Sequence, residues 1–272
     1  MEFNVDFSNM SYTEICEYVL SIEHTENDIK DSEKVIISNM LLQDKRKTVQ
    51  KLGGRICRIF EQKEKEIKRV KKMYDFDRSF GNYKYVAGVD EVGRGPLAGP
   101  IVAAAVILDL KIKEDKDLIL RANDSKKLSI AVRKELSYII KEKAIAYKII
   151  AIDNKQIDEK GISWCNNQVF LDSCAGLIVK PDLVLSDGYK IKNYSDLNEF
   201  VIKGDTKSIS IACASIIAKV YRDELMVNYH KQYPNYGFDK NVGYGTAQHV
   251  LAIKRHGIIS IHRRCFLRNI LK

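Results

Sequence analysis

The sequence predicts an α/β protein, a mixed sheet flanked by helices, with a helical N-terminal extension and a helical C-terminal region. Two observations carry that expectation. From residue 85 onward, short apolar runs bounded by glycine and proline alternate with longer segments whose apolar residues recur at helical spacing. Before residue 80 the periodicity is helical throughout. With 272 residues, 45% of them hydrophobic and 30% charged, the chain can bury a substantial core, which excludes global disorder.

Residues 13–19 and 35–42 carry short amphipathic patterns. After Asp44, a candidate N-cap, Val49, Leu52, Ile56, Ile59, Phe60, Ile67 and Val70 follow at helical spacing. Gly53 and Gly54 interrupt that helix at a cost of about 1 kcal/mol each. The segment DFDRSFGN reads as a loop, with a boundary near residues 76–84 that separates an extension, 1–80, from a second domain, 84–272. Residues 85–89 and 101–108 read as strands joined by a glycine-rich turn. A helix over 129–147, a strand over 148–152 and a helix over 163–179, ended before Pro181, come next. Strands over 182–186 and 199–202 precede a long helix from Ser208 to about Tyr229, stopped before Pro234.

No apolar run reaches the roughly 18 residues a membrane span needs. The acidic start MEFNVDFSNM does not read as a secretory signal. Six cysteines without a CxxC pair suit reduced thiols in a cytoplasm. The net charge of +9 is segregated. Residues 1–44 hold 2 basic and 10 acidic side chains, residues 45–84 hold 14 and 5, residues 85–202 hold 17 of each, and residues 203–272 hold 12 and 4. Two basic zones of this kind suit a polyanion such as nucleic acid, or are solvated faces.

Carboxylates stand at the ends of three apolar runs: Asp90 and Glu91 after YVAGV, Asp187 after LVLS, and Asp205 after FVIKG. In α/β sheets, sites gather at strand ends. Clustered carboxylates repel by roughly 4 kcal/mol per pair at about 4 Å in an effective dielectric of about 20, a cost that a divalent cation offsets. Oxygen-only donors select magnesium, calcium or manganese over zinc. Two such ions form the arrangement that cleaves phosphodiesters in line. Adjacent strand residues face opposite sides, so Asp90 and Glu91 share one site only if the chain turns there, as Gly93 and Gly95 permit. The segment VDEVGRGPLAGP lacks the GxGxxG spacing of a dinucleotide loop, and its two acids would repel a pyrophosphate.

VAGVDEVGRGPLAGP, NDSKKLS, SDG, KGD, ACASIIAKVYRD, GYGT and HRRCF, in that order across 84–267, together resemble bacterial ribonuclease HII. The resemblance implies a ribonuclease H-like fold. It implies hydrolysis of the RNA strand of RNA–DNA hybrids, and cleavage 5′ to ribonucleotides embedded in duplex DNA. The products would carry 3′-hydroxyl and 5′-phosphate ends, and Mn²⁺ or Mg²⁺ would be the cofactor. It makes Asp90, Glu91, Asp187 and Asp205 the metal-binding catalytic acids. Gly93, Arg94 and Gly95 become the loop that senses the ribose 2′-hydroxyl, and Tyr244 the ring at the RNA–DNA junction. Ser125, Lys126 and Lys127 match residues beside the substrate, and Arg263 and Arg264, with His262, are expected on a basic surface that meets phosphates. A monomer is the family-like default. Cys265 and Ser186 depart from the usual serine and branched aliphatic at their positions. Asp223 is expected to pair with Lys219 or Arg222 at helical spacing, and Trp164 and the cysteines to serve core or helix packing. Competing readings are a non-catalytic nucleic-acid-binding protein on this scaffold and a junction resolvase or integrase-like nuclease of the same fold.

Overall fold

The structure, a computed structural model, describes residues 5–24, 31–268 and 270. The chain forms two compact units, Met1–Arg69 and Val70–Lys272. In the first, helix α1 (Tyr12–His24) opens with a reciprocal cap: Glu14 N–H donates to Ser11 Oγ and Ser11 N–H to Glu14 Oε2. Helix α2 (Asp31–Leu42) follows, and then α3 (Lys47–Arg78). Ile15, Val19, Ile22, Ile37, Leu41, Val49 and Ile56 form their buried core. Asp44 does not cap α3; it holds Arg46, which donates to the carbonyls of Phe7 and Met10.

The helix break expected at Gly53-Gly54 does not occur. A Cβ at Gly53 would lie 2.9 Å from both Leu41 Cβ and Leu42 N, so this glycine lets two helices approach closely. A Cβ at Gly54 would meet only Leu42 Cδ2, at 3.8 Å. Gly54→Ala is therefore expected to raise stability by about 0.5–1 kcal/mol through helix propensity. Gly53→Ala is expected to lower it by about 1–3 kcal/mol through overpacking. Thermal unfolding of the two variants reads the opposite signs, and equal shifts would contradict this packing.

In the second unit, β1 (Val86–Val92), β2 (Ile101–Leu108), β3 (Ala144–Ile152), β4 (Leu183–Asp187) and β5 (Asn198–Val201) form one sheet in the order β3-β2-β1-β4-β5. The β2 strand runs antiparallel to β1 and β3, whereas β1, β4 and β5 are parallel. Helix α4 (Ile130–Lys143) is capped by Ser129, and α5 (Asn154–Lys160) by Asp153. Helix α6 (Ile162–Ala175) covers one face of the sheet, where Cys165, Val169 and Phe170 pack with Ala87, Val89, Ala103 and Ala105. A short α7 (Gly204–Lys207) leads to α8 (Ile209–Gln232), capped by Ser208, which lies on the other face. Helices α9 (Phe238–Asn241) and α10 (Ala247–His256) pack with Met226, Tyr236 and Ile261 in a smaller apolar cluster.

Three further expectations need correction. Residues 144–147 are strand, not helix: Ala146 pairs with Ile107 and Tyr147 with Val106, so sheet pairing overrides a segment whose composition suits either state. The segment 75–78 continues α3 instead of forming a loop, and Asp77 is buried there with Oδ2 accepting from Ser210 N–H at the start of α8. Burial pushes the Asp77 carboxyl up to about 6. Trp164 is half-exposed, with Lys160 Nζ 4.5 Å from its ring centre. Among the described residues all six cysteines are unpaired, and no helix is long and apolar enough to cross a membrane.

Candidate active site

The acids are brought together by strand order. Parallel pairing of β1 with β4 ends at Val89 and Ser186, so Asp90, Glu91 and Asp187 emerge side by side where that ladder stops. Val201 of β5 pairs with Asp187, and the chain then turns through Lys203, in the left-handed region at φ 57°, into Gly204 and Asp205. Gly204 N–H donates to Asp187 Oδ1 at 2.6 Å, which ties the third acid to the turn that carries the fourth.

No turn separates Asp90 from Glu91; β1 runs on to Val92. The two leave the strand on opposite sides, as its period of two requires. Asp90 faces α8 with Ser215 nearby, and Glu91 has Tyr189 nearby. Both still feel Asp187, because Asp187 stands at the sheet's end and not within it. Burial, then Glu91 and Asp187, hold the Asp90 carboxyl well above the usual carboxylate range. Burial raises Glu91 to about 7 despite the Arg94 guanidinium 3.7 Å away, with Asp187 adding to the rise. Asp205 is raised by burial and by Asp187 and Asp124, and Lys126 and Lys127 act against the shift.

Asp90, Glu91 and Asp205, each raised by burial and by neighbouring carboxylates, form with Asp187 a set of oxygen donors that suits positive charge. Among the described residues, no three His, Cys, Asp or Glu side chains form a preformed metal cage. Carboxylate oxygens gathered at a sheet end fit magnesium-type cations, which bind through carboxylates, keep waters and complete their shell with substrate phosphates. They do not fit a closed structural zinc site.

The expected substrate residues divide. Arg94, Gly95, Lys126, Lys127, Tyr244 and Arg264 are exposed. Arg94 sits over the Tyr189 ring at 5.5 Å, and Tyr244 stands 3.9 Å from where a Cβ on Gly95 would lie. Gly93, Ser125 and Arg263 are not on the surface. Ser125 is buried, its Oγ 3.1 Å from Ser215 Oγ. Arg263 is fully buried and donates to the carbonyls of Gly93, Arg94 and Gly99. Its guanidinium is pushed down to about 9 by burial and by Arg222, which leaves it charged at neutral pH. The basic surface expected from HRR is therefore only Arg264. His262 is buried beside His249, Nε2 to Nε2 at 3.1 Å, and burial then His249 lower its pKa to about 4.

Several contributors were not singled out in the sequence. Asp124, Ser215 and Tyr189 neighbour the acids, and Arg222 donates to the carbonyls of Ala98, Pro100 and Val242. Arg222 was detectable as a lone cation among the apolar positions of α8. Asp223 pairs with Lys219 at 2.8 Å, as the helical spacing implies. Of the two departures, Ser186 Oγ donates to Tyr189 O at 2.6 Å and steadies the turn after Asp187, and Cys265 N–H donates to Asp158.

The family model for ribonuclease HII matches residues 87–269, and that for the ribonuclease HII N-terminal domain matches 22–81. The chain is 63% identical to a ribonuclease HII of Clostridium perfringens over 235 residues, 86% of each chain. It is 56% identical to one of Clostridium beijerinckii over 271 residues, the full length of both. The crystal structure of the ribonuclease H2 from Pyrococcus horikoshii superposes with a TM-score of 0.59 at 28% identity, covering 68% of this chain and 96% of that one. A sheet-end cluster of acids beside a glycine–arginine–glycine loop and sequence identity over the whole length converge: the chain belongs to the ribonuclease HII family and is a ribonuclease H.

Proposed function

We propose that the protein hydrolyses the RNA strand of RNA–DNA hybrids and cuts duplex DNA 5′ to embedded ribonucleotides, leaving 3′-hydroxyl and 5′-phosphate ends. The observation that carries this reading is the placement of Asp90, Glu91, Asp187 and Asp205 at one sheet end next to the 93–95 loop. Those four acids would hold two divalent cations, Mn²⁺ or Mg²⁺, which supply activation of the attacking water and charge neutralisation on the leaving oxygen. Asp187 is oriented for this by the Gly204 amide, and Ser215 and Tyr189 stand near Asp90 and Glu91. Lys126 and Lys127, exposed beside Asp205, offer the phosphates positive charge, and Arg94 and Gly95 offer backbone amides to the ribose. Tyr244 presents a partly exposed ring for the sugar at the junction.

A non-catalytic nucleic-acid binder has no use for buried acids that repel phosphate, which disfavours that alternative. The test uses an end-labelled duplex with one ribonucleotide, beside an all-DNA duplex, with Mn²⁺, Mg²⁺ or EDTA. A metal-dependent cut just 5′ to the ribonucleotide is expected, with the all-DNA control intact; cutting of the control at a comparable rate would favour a resolvase-like nuclease. Tyr244→Ala is expected to slow cleavage at the single ribonucleotide more than on a long hybrid, and equal losses would remove Tyr244 from junction sensing.

A further inference from the structure

Arg222 and Arg263 are the largest fully buried side chains among the described residues. Burying a guanidinium is costly unless its donors are satisfied, so the groups that satisfy it matter. Here they are backbone carbonyls of a single segment and its neighbour. Arg263 takes Gly93, Arg94 and Gly99 at 2.6, 3.0 and 2.9 Å. Arg222 takes Ala98, Pro100 and Val242 at 3.2, 2.9 and 2.9 Å.

A trans peptide carries its C=O and N–H on opposite sides, and no described peptide is cis. With the Gly93 and Arg94 carbonyls turned inward onto Arg263, the N–H groups of Arg94 and Gly95 face the other way, on the exposed side of the loop. Each of these two peptides adjoins a glycine, Gly93 at φ +96° or Gly95. Turning a peptide over changes ψ of the residue before it and φ of the residue after it, so the Arg94–Gly95 peptide, whose glycine accepts the new φ, has little local to fix which group it presents. The fixing comes from the guanidinium beneath.

We propose that Arg263 is a specificity-determining positioning residue, whose guanidinium locks the 93–95 peptides in the orientation that presents two amide donors to the ribose 2′-hydroxyl and its adjoining phosphate. The inference rests on the reading of this loop as the 2′-hydroxyl sensor. Arg222 completes the frame by holding the segment 98–100 and the chain just before Tyr244. Lysine cannot substitute: its donors sit on one nitrogen and do not span three carbonyls as the planar fork does.

The test compares wild type, Arg263→Lys and Arg263→Ala on a single-ribonucleotide duplex, a long hybrid and an all-DNA duplex, with melting temperatures measured alongside. A long hybrid offers a 2′-hydroxyl at every register, whereas the single ribonucleotide offers one. Arg263→Lys is therefore expected to lose about 10²-fold in kcat/KM on the single ribonucleotide, the scale of one misplaced backbone donor, and much less on the hybrid. Methylguanidinium is expected to restore part of the Arg263→Ala activity on that substrate and to leave wild type unchanged. Equal losses on both substrates would overturn the proposal, because a packing role lowers all activity alike. Failure of both variants to fold, unrelieved by methylguanidinium, would overturn it too. A wild type that does not distinguish the ribonucleotide duplex from all-DNA would instead sink the sensor reading itself. A wild type that does, with a lysine variant that distinguishes equally, would sink only the role given to Arg263.

Discussion

Asp187→Asn is expected to lower cleavage by about 10³-fold or more, the scale of losing a carboxylate that would hold a catalytic cation. The same change is expected to leave the metal-free melting temperature equal or higher. Asparagine retains an oxygen at the position where Asp187 accepts from Gly204 N–H, so the turn into α7 keeps its anchor. What is removed is a charge that raises the pKa of Asp90, Glu91 and Asp205 together. Fewer buried like charges stabilise the metal-free fold, by an amount that depends on how far its neighbours already share protons. Activity and unfolding of the purified variant are measured side by side. Near-normal cleavage would remove Asp187 from the site, and a clear fall in metal-free melting temperature would show that its charge serves the fold.

Gly88→Ala is expected to cost about 4 kcal/mol or more, or to prevent folding. A Cβ there would lie 2.1 Å from the Ser210 carbonyl carbon and 2.2 Å from Ile211 N, which are backbone atoms with no rotamer to yield. The contact also sets the site. From Gly88 to Asp90 the strand advances about 6.8 Å, and from Ile211 to Ser215 the helix advances about 6 Å, so the two run in step. The first pair packs backbone on backbone, and the second sets Ser215 near the Asp90 carboxylate. An alanine that wedges α8 outward would therefore also move Ser215 away from Asp90. Soluble yield and thermal unfolding decide it: a folded variant with the wild-type melting temperature would refute the close approach of α8 to β1.

Legibility in the sequence followed the range of the interaction concerned. The strand over 101–108 was readable to the residue because all of its side chains are buried and its apolar run is uninterrupted. The gathering of the acids at one sheet end was readable because each follows an apolar run that reads as a strand. The continuity of α3 through Gly53-Gly54 was not, since propensity counts the glycines against the helix and cannot see Leu41 packed upon them. Residues 144–147 failed for the same reason, with β2 as the unseen partner.

Composition, periodicity and motif order by themselves determined the α/β class, the order of most elements, the four candidate acids and the glycine–arginine–glycine loop. Those properties are local, or are carried by the residue types present. Only the tertiary structure decided which cations face substrate and which lie beneath it. Arg263 and Arg264 are neighbours in sequence, yet one is buried under the loop and the other is exposed. The same holds for Ser125 and Lys126. A side chain's direction at a turn depends on which distant carbonyls or hydroxyls lie within reach, and the partners of Arg263 come from about 165 residues away along the chain.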